Sequence, residues 1–168
     1  MAITVSTSAS KTSKPAVLKA MLDVAQTSLD ITPRKLEILQ TLASHGKIAV
    51  AFDGTAPVGW LIAEPLGSSI EELGMAYVLP AYRRQAVLKK LIEALEDRTK
   101  TQVFATYTPE IITYMKTNYG FSESNLAAIG RATKGRFLTK RLSPRVLRSI
   151  GGRLKSKPVY YALRKAVR

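Results

Sequence analysis

Arg83 and Arg84 stand between an apolar segment that ends at Pro80 and a second segment with helical spacing. Proline has no N–H to give a ladder, so a strand through Tyr77-Val78-Leu79 must stop at Pro80 and the chain must turn. The first N–H groups of the helix that follows have no partner within it, and its dipole is positive at that end. Both properties suit a phosphate, and two guanidiniums at the same point add charge-assisted hydrogen bonds to it. Anion binding is thus the chemistry these residue types offer; the plainer alternative is an exposed basic first turn. Other chemistries find less support. The chain has no cysteine, which removes disulfides, a thiol nucleophile and a thiolate zinc site. Its single histidine, His45, stands beside Gly46 at the end of a helical segment, so a histidine-based metal cluster is excluded. Gly151-Gly152-Arg153 lacks the spacing of a phosphate loop. Trp60, inside an apolar strand segment, reads as core.

Hydrophobic periodicity outlines the framework that must hold the two arginines. Ile3–Ser8 alternates as a first strand, and Lys11–Lys14 reads as a linker. Pro15 opens a helix with Val17, Leu18, Met21, Leu22, Val24, Ala25 and Leu29 on its apolar face. Asp30 or Thr32 caps a second helix, with Pro33 in its first turn and Gly46 at its end. Lys47–Asp53 and Val58–Ala63 are strands around Asp53-Gly54, with Pro57 implying a connection longer than two residues. A third strand runs from about Ile70 to Leu79. The helix after the arginines carries Val87, Leu88, Leu91, Ile92 and Leu95 on one face and extends to about Thr99. Gln102–Tyr107 is a buried strand, Glu110–Asn118 a short helix, and Arg136–Leu142 a final alternating strand. The order is β-α-α-β-β-β-α-β-α-β, and there is no internal repeat.

At 168 residues with 46% hydrophobic composition, the chain reads as one domain with tails. No run approaches the roughly 18 apolar residues of a membrane span, and no apolar signal segment is present, so an intracellular, cytoplasmic location is expected. The formal net charge of +14 is unevenly placed. Residues 1–130 hold 13 Lys/Arg and all 12 Asp/Glu, while residues 131–168 hold 13 Lys/Arg and no acid.

Three stretches together resemble the GNAT superfamily of N-acetyltransferases. The first is Tyr77-Val78-Leu79-Pro80 leading to Tyr82-Arg83 and a helix. The second is Tyr114-Met115-Lys116-Thr117-Asn118-Tyr119-Gly120-Phe121, similar to the family's Tyr-x-x-x-Gly-Phe with one extra residue, so that Tyr114 or Met115 occupies the tyrosine position. The third is Phe137–Leu142, similar to the family's closing strand. The resemblance covers residues 1–142 and implies a mixed α/β fold: a central, mostly antiparallel sheet flanked by helices. It also implies acetyl-CoA as cofactor and an amine as substrate. On this resemblance the cofactor contacts are the backbone of Tyr77 and Val78, as an added strand along the pantetheine, and the Arg83-Arg84-Gln85-Ala86-Val87-Leu88 loop at the pyrophosphate. Ala86 and Leu88 stand where the family usually has small glycines, and a leucine side chain works against close approach of backbone to phosphate. Tyr114 is implied as the acid for the departing thiolate, and Glu72 as acceptor of the amine proton. Glu71 and Glu72 alternate faces on a strand, so at most one is expected to point inward; the bland alternative is a solvated strand end.

Residues 143–168 change composition and read as a basic C-terminal extension of two short amphipathic helices. One is Arg145–Ile150; the other, after Pro158, places Val159, Tyr160, Leu163 and Val167 on one face. Each is too short to stand alone and is expected to order against nucleic acid, an anionic membrane, an acidic protein face or its own domain. Three functions follow from these features. One is an N-acetyltransferase using acetyl-CoA. Another is a GNAT-like domain without cofactor binding, recruited to a protein assembly or nucleic acid through residues 143–168; a third, a nucleic-acid-binding module whose acetyltransferase fold is incidental, rests on charge alone.

Overall fold

A computed structural model describes residues 2–28, 31–141 and 158–167. Among the described residues, seven strands and seven helices form an α/β arrangement, and the sheet order is β1-β2-β3-β4-β5-β7-β6, antiparallel in most of its ladders. The chain divides into two compact units, residues 1–64 with 74–96, and residues 65–73 with 97–168.

The first unit contains β1 (Thr4–Ser6), α1 (Ala9–Thr12), α2 (Pro15–Thr27), α3 (Leu36–Ser44), β2 (Ile48–Asp53), most of β3 (Ala56–Gly67), the end of β4 (Ile70–Val78) and α4 (Val87–Leu95). Val17, Leu18 and Met21 of α2 and Leu39 and Leu42 of α3 fall at helical spacing and pack on Val50, Trp60, Ile62 and Met75 of the strands. Several expectations are corrected here. Lys11 and Thr12, expected as linker, lie in the short helix Ala9–Thr12. The second long helix starts at Leu36, with Lys35 at its cap, so Thr32 and Pro33 precede it; Asp30 lies outside the described residues. The β2–β3 connection is the two residues Gly54-Thr55, because Asp53 pairs with Ala56 and Pro57 sits within the strand opposite Phe52. Pro57 is accommodated beside a bulge: Ala51 faces Gly59 and Phe52 faces Pro57, leaving Val58 as the extra residue. Gly46 does end α3, in the left-handed conformation.

The second unit contains the start of β4, then β5 (Thr101–Thr106), α5 (Pro109–Tyr119), β6 (Ser122–Ser124), α6 (Leu126–Ala132), α7 (Arg136–Arg141) and β7 (Tyr160–Arg164). β4 and β5 are parallel over Ile70–Leu73 and Thr101–Phe104. β7 lies between β5 and β6, antiparallel to both. Leu66, Val103, Ile129 and Phe137 form its core, with Tyr161 and Leu163 against them.

Two assignments fail in this unit. Arg136–Arg141 is a helix, not the closing strand. The local geometry decides it: Lys134 and Gly135 turn the chain at positive φ, and the Phe137 N–H donates to the Thr133 hydroxyl at 3.3 Å, which starts a helix. The closing strand is β7, inside the region read as an amphipathic helix. Alternation explains the error. Ala162 and Arg164 are buried on one side while Tyr161 and Leu163 pack on the unit's core, a two-residue period that four apolar positions also fit to a helix. The first helix expected in the extension, Arg145–Ile150, lies outside the described residues. Among the described residues no helix is long and apolar enough to cross a membrane.

Candidate active site

The loop after β4 is built from strained and unstrained pieces in turn. A single 3-10 turn covers Pro80–Tyr82, and Arg83 is extended. Arg84 then has φ 64° and Ala86 φ 56°, both in the left-handed region that glycine adopts freely and other residues do not. α4 therefore begins at Val87, with Ala86 as its cap, and the arginines precede the helix by a turn instead of lying in it. The first bond that leads into the helix is from the Lys90 N–H to the Ala86 carbonyl at 3.1 Å. The amides of Val87, Leu88 and Lys89 belong to the first turn, whose N–H groups have no carbonyl inside the helix. Arg83 donates from Nε to the Val78 carbonyl at 3.1 Å, and Gln85 from Nε2 to the Ala81 carbonyl at 2.9 Å. Arg83, Arg84 and Gln85 are exposed, Val87 is buried and Leu88 half-buried.

This geometry answers the question raised by Ala86. The position takes the conformation that glycine would supply, at a local cost of about 1 kcal/mol, so the turn that aims the first amides of α4 is present without the glycine. Leu88 has part of its side chain covered by the protein, which lowers the bulk it presents to a ligand. The loop residues fit a pyrophosphate: first-turn amides, a turn of suitable hand and two exposed guanidiniums.

Beneath the loop, Gly59 of β3 is required by packing. A Cβ there would stand 2.9 Å from the Tyr77 carbonyl oxygen and 3.3 Å from methyl groups of both Val78 and Val87. Tyr77 stacks on Trp60 with ring centroids 5.2 Å apart. The Leu79 N–H donates to the Val58 carbonyl at 2.9 Å, and the Tyr82 hydroxyl donates to Asp53 Oδ2, also at 2.9 Å. That hydrogen bond to a carboxylate is the main reason the Tyr82 phenol is pushed above its ordinary pKa, with desolvation and the Asp53 charge adding to it.

Glu72 and Tyr114 lie in the second unit. Both Glu71 and Glu72 are buried, which corrects the expectation that at most one would be. They do alternate, and each has its own cover. Glu71 accepts from Gln102 Nε2 at 2.6 Å and from Lys100 Nζ at 3.4 Å, and Gln102 in turn accepts from Arg164 of β7. Glu72 accepts from Lys140 of α7 at 3.0 Å. A solvated strand end is therefore not what the pair forms. On α5, Met115 is fully buried, whereas Tyr114 is half-buried with its hydroxyl 3.5 Å from that of Tyr119. Tyr114 is thus the residue of the two with a group for proton transfer. Glu72 contacts Lys140 and Tyr114 contacts Tyr119.

Gly59 and Lys140 were not singled out by sequence, and Tyr82 stood only as part of the motif, with no partner assigned to it. Asp53-Gly54 signalled a hairpin, but not which loop the carboxylate would meet.

The chain belongs to the acetyltransferase (GNAT) family, whose model matches residues 17–117. A comparison with curated protein sequences finds none that matches. Solved structures share the fold at low identity. Rv2747 from Mycobacterium tuberculosis, in complex with CoA, superposes with a TM-score of 0.63 at 12% identity, covering 98% of this chain and 99% of that one. Naa50 from Arabidopsis thaliana, in complex with the bisubstrate analogue CoA-Ac-MVNAL, gives 0.64 at 11% identity over 98% and 99% of the two chains. Ard1 from Thermoplasma volcanium gives 0.62 at 16% identity, with both chains covered in full.

Proposed function

We propose that this protein transfers an acetyl group from acetyl-CoA to an amine. The observation that carries this reading is the loop before α4, in which Arg84 and Ala86 both take the left-handed conformation and leave the first-turn amides of α4 to meet an anion. Arg83, Arg84 and the amides of Val87 and Leu88 would hold the pyrophosphate, and the main chain of Tyr77 and Val78 the pantetheine. The chemistry supplied by bound acetyl-CoA is a thioester carbonyl open to attack by an amine.

The protein's own residues then handle protons. Glu72, buried and paired with Lys140, would take the proton that the amine loses, directly or through water. The Tyr114 hydroxyl, half-buried beside Tyr119, is the group that would supply a proton to the thiolate. Burial strengthens each of these electrostatic effects relative to water.

Titration of the protein with acetyl-CoA by calorimetry, repeated with Arg83 and Arg84 both changed to Ala, tests the reading. Binding in the micromolar range that the double change abolishes is expected. No binding at millimolar cofactor overturns it.

A second reading is favoured by the charge distribution: 13 Lys/Arg and no acid after residue 130, with Arg131, Lys134 and Lys165 exposed. Under it, the basic residues that follow residue 130 dock the domain on nucleic acid or an acidic protein face, with Tyr160–Arg164 held in the sheet as β7. Steep weakening of nucleic-acid binding with added salt would support it, and salt-independent binding would not.

A further inference from the structure

We propose that Asp53, at the tip of the β2–β3 hairpin, is a positioning residue that holds the Arg83–Ala86 loop in its anion-binding shape through Tyr82; the proposal rests on the acetyl-CoA reading above. The argument starts from the loop's energetics. Two non-glycine residues, Arg84 and Ala86, hold positive φ within three positions, and each such residue costs about 1 kcal/mol or more. A loop of this kind persists only where its surroundings over-determine it. Its internal hydrogen bonds, Arg83 to Val78 and Gln85 to Ala81, are local and reach back no more than five residues. Among the described residues, the side-chain tie from residues 80–86 to a distant part of the sequence is the bond from Tyr82 to Asp53, 29 residues away.

The hairpin is shaped to make that tie. The bulge that inserts Val58 re-aims the end of the hairpin, and the two-residue turn fixes Asp53 opposite Ala56. The carbonyl of the extra residue, Val58, takes the Leu79 N–H, so one hairpin grips both the last residue before the turn and the last residue of the turn itself. Asp53 has its second oxygen, Oδ1, buried with no partner among the described residues. Its carboxylate is therefore committed to Tyr82. The raised pKa of Tyr82 has the same origin.

The full-length protein with Tyr82→Phe, Asp53→Ala or Asp53→Asn tests this by two measurements. In calorimetry with CoA, Tyr82→Phe and Asp53→Ala are expected to weaken binding about fivefold to tenfold, what one hydrogen bond sustains, while Asp53→Asn, which keeps an oxygen acceptor for the phenol, stays close to wild type. Leu18→Ala, a core change in α2, serves as a control that lowers stability and leaves CoA affinity unchanged. In amide hydrogen exchange without CoA, residues 83–88 are expected to exchange faster in Tyr82→Phe than in wild type. CoA affinity within twofold of wild type for both Tyr82→Phe and Asp53→Ala, or unchanged exchange in the loop, overturns the proposal. If wild type itself fails to bind CoA while exchange in the loop quickens in Tyr82→Phe, the acetyl-CoA reading falls and the link from Asp53 to anion binding falls with it. The hairpin then stands as a template for the loop alone.

Discussion

Lys140 of α7 places its ammonium 3.0 Å from the carboxylate of Glu72, a side chain with 1% of its surface exposed. The lysine keeps 24% of its side chain exposed, so water reaches one end of the pair but not the other. Removing the cation from a buried carboxylate costs more than the pair's net worth, because the remaining charge is left in low dielectric. Lys140→Met should lower stability by about 2 kcal/mol, below the value for a fully enclosed pair. The double change with Glu72→Gln should recover much of that loss, as chemical denaturation of the three variants would show.

Gly59→Ala should be costly because the obstruction is backbone. A Cβ at 2.9 Å from the Tyr77 carbonyl oxygen forces β3 and β4 apart, with the methyls of Val78 and Val87 closing the other directions. A loss of about 1–3 kcal/mol is expected from overpacking. Since Val87 opens α4, CoA titration of the variant should also show weaker binding.

At Ala86 the opposite sign is expected. Glycine relieves the left-handed strain at φ 56°, while adding freedom to the unfolded chain. The two effects oppose, leaving a net gain of about 0.5 kcal/mol or less. Ala86→Val, with a branched Cβ, should lose stability instead. Thermal unfolding of the two variants, one rising and one falling, checks the conformation of this residue.

Asp97 predicts an acid-side effect. Its carboxyl is held below the ordinary value of 3.8, mainly by the Thr99 hydroxyl; burial opposes this, and the Thr99 N–H and Lys100 add to the lowering. The Thr99 hydroxyl donates at 2.6 Å and its N–H at 3.0 Å. A depressed folded pKa contributes stability above the unfolded pKa, and that contribution is lost as pH falls through the folded one. Thr99→Val keeps the N–H and removes the hydroxyl. Its stability deficit should be present near neutral pH and should close as the pH drops below the ordinary carboxylate range, followed by urea unfolding across pH.

Local pattern carried the sequence reading furthest where an element's own period decides its state. In α4, Val87, Leu91, Ile92 and Leu95 are buried and Lys89, Lys90 and Glu93 exposed, as their spacing requires. Gly120 likewise ends α5 in the left-handed conformation. The reading failed where pairing or capping over distance decides. Tyr160–Arg164 becomes a strand because β5 and β6 offer ladders on both sides, and nothing within five residues records that. Buried Glu72 is met by Lys140 from a helix 68 residues on, a segment whose alternation reads locally as a strand. In the candidate site, the basic loop announced itself through Pro80 and the two arginines. The partners that shape it, Asp53 and Gly59, belong to a hairpin whose register depends on a bulge that no residue type marks.

The position of β7 between β5 and β6 has a consequence for how the protein is made. Synthesis delivers β5 and β6 before residues 160–164, and until β7 arrives β6 lacks its ladder to the sheet and β5 lacks one of its two. Until β7 emerges, β5 shows the ribosome's surroundings an unpaired row of N–H and C=O groups, and Gln102 lacks Arg164. Pairing β7 with β5 joins residues more than 50 positions apart, which is slow compared with helix formation. Stalling of translation between residues 124 and 160 would leave an exposed strand edge that invites a holding chaperone or a neighbouring chain.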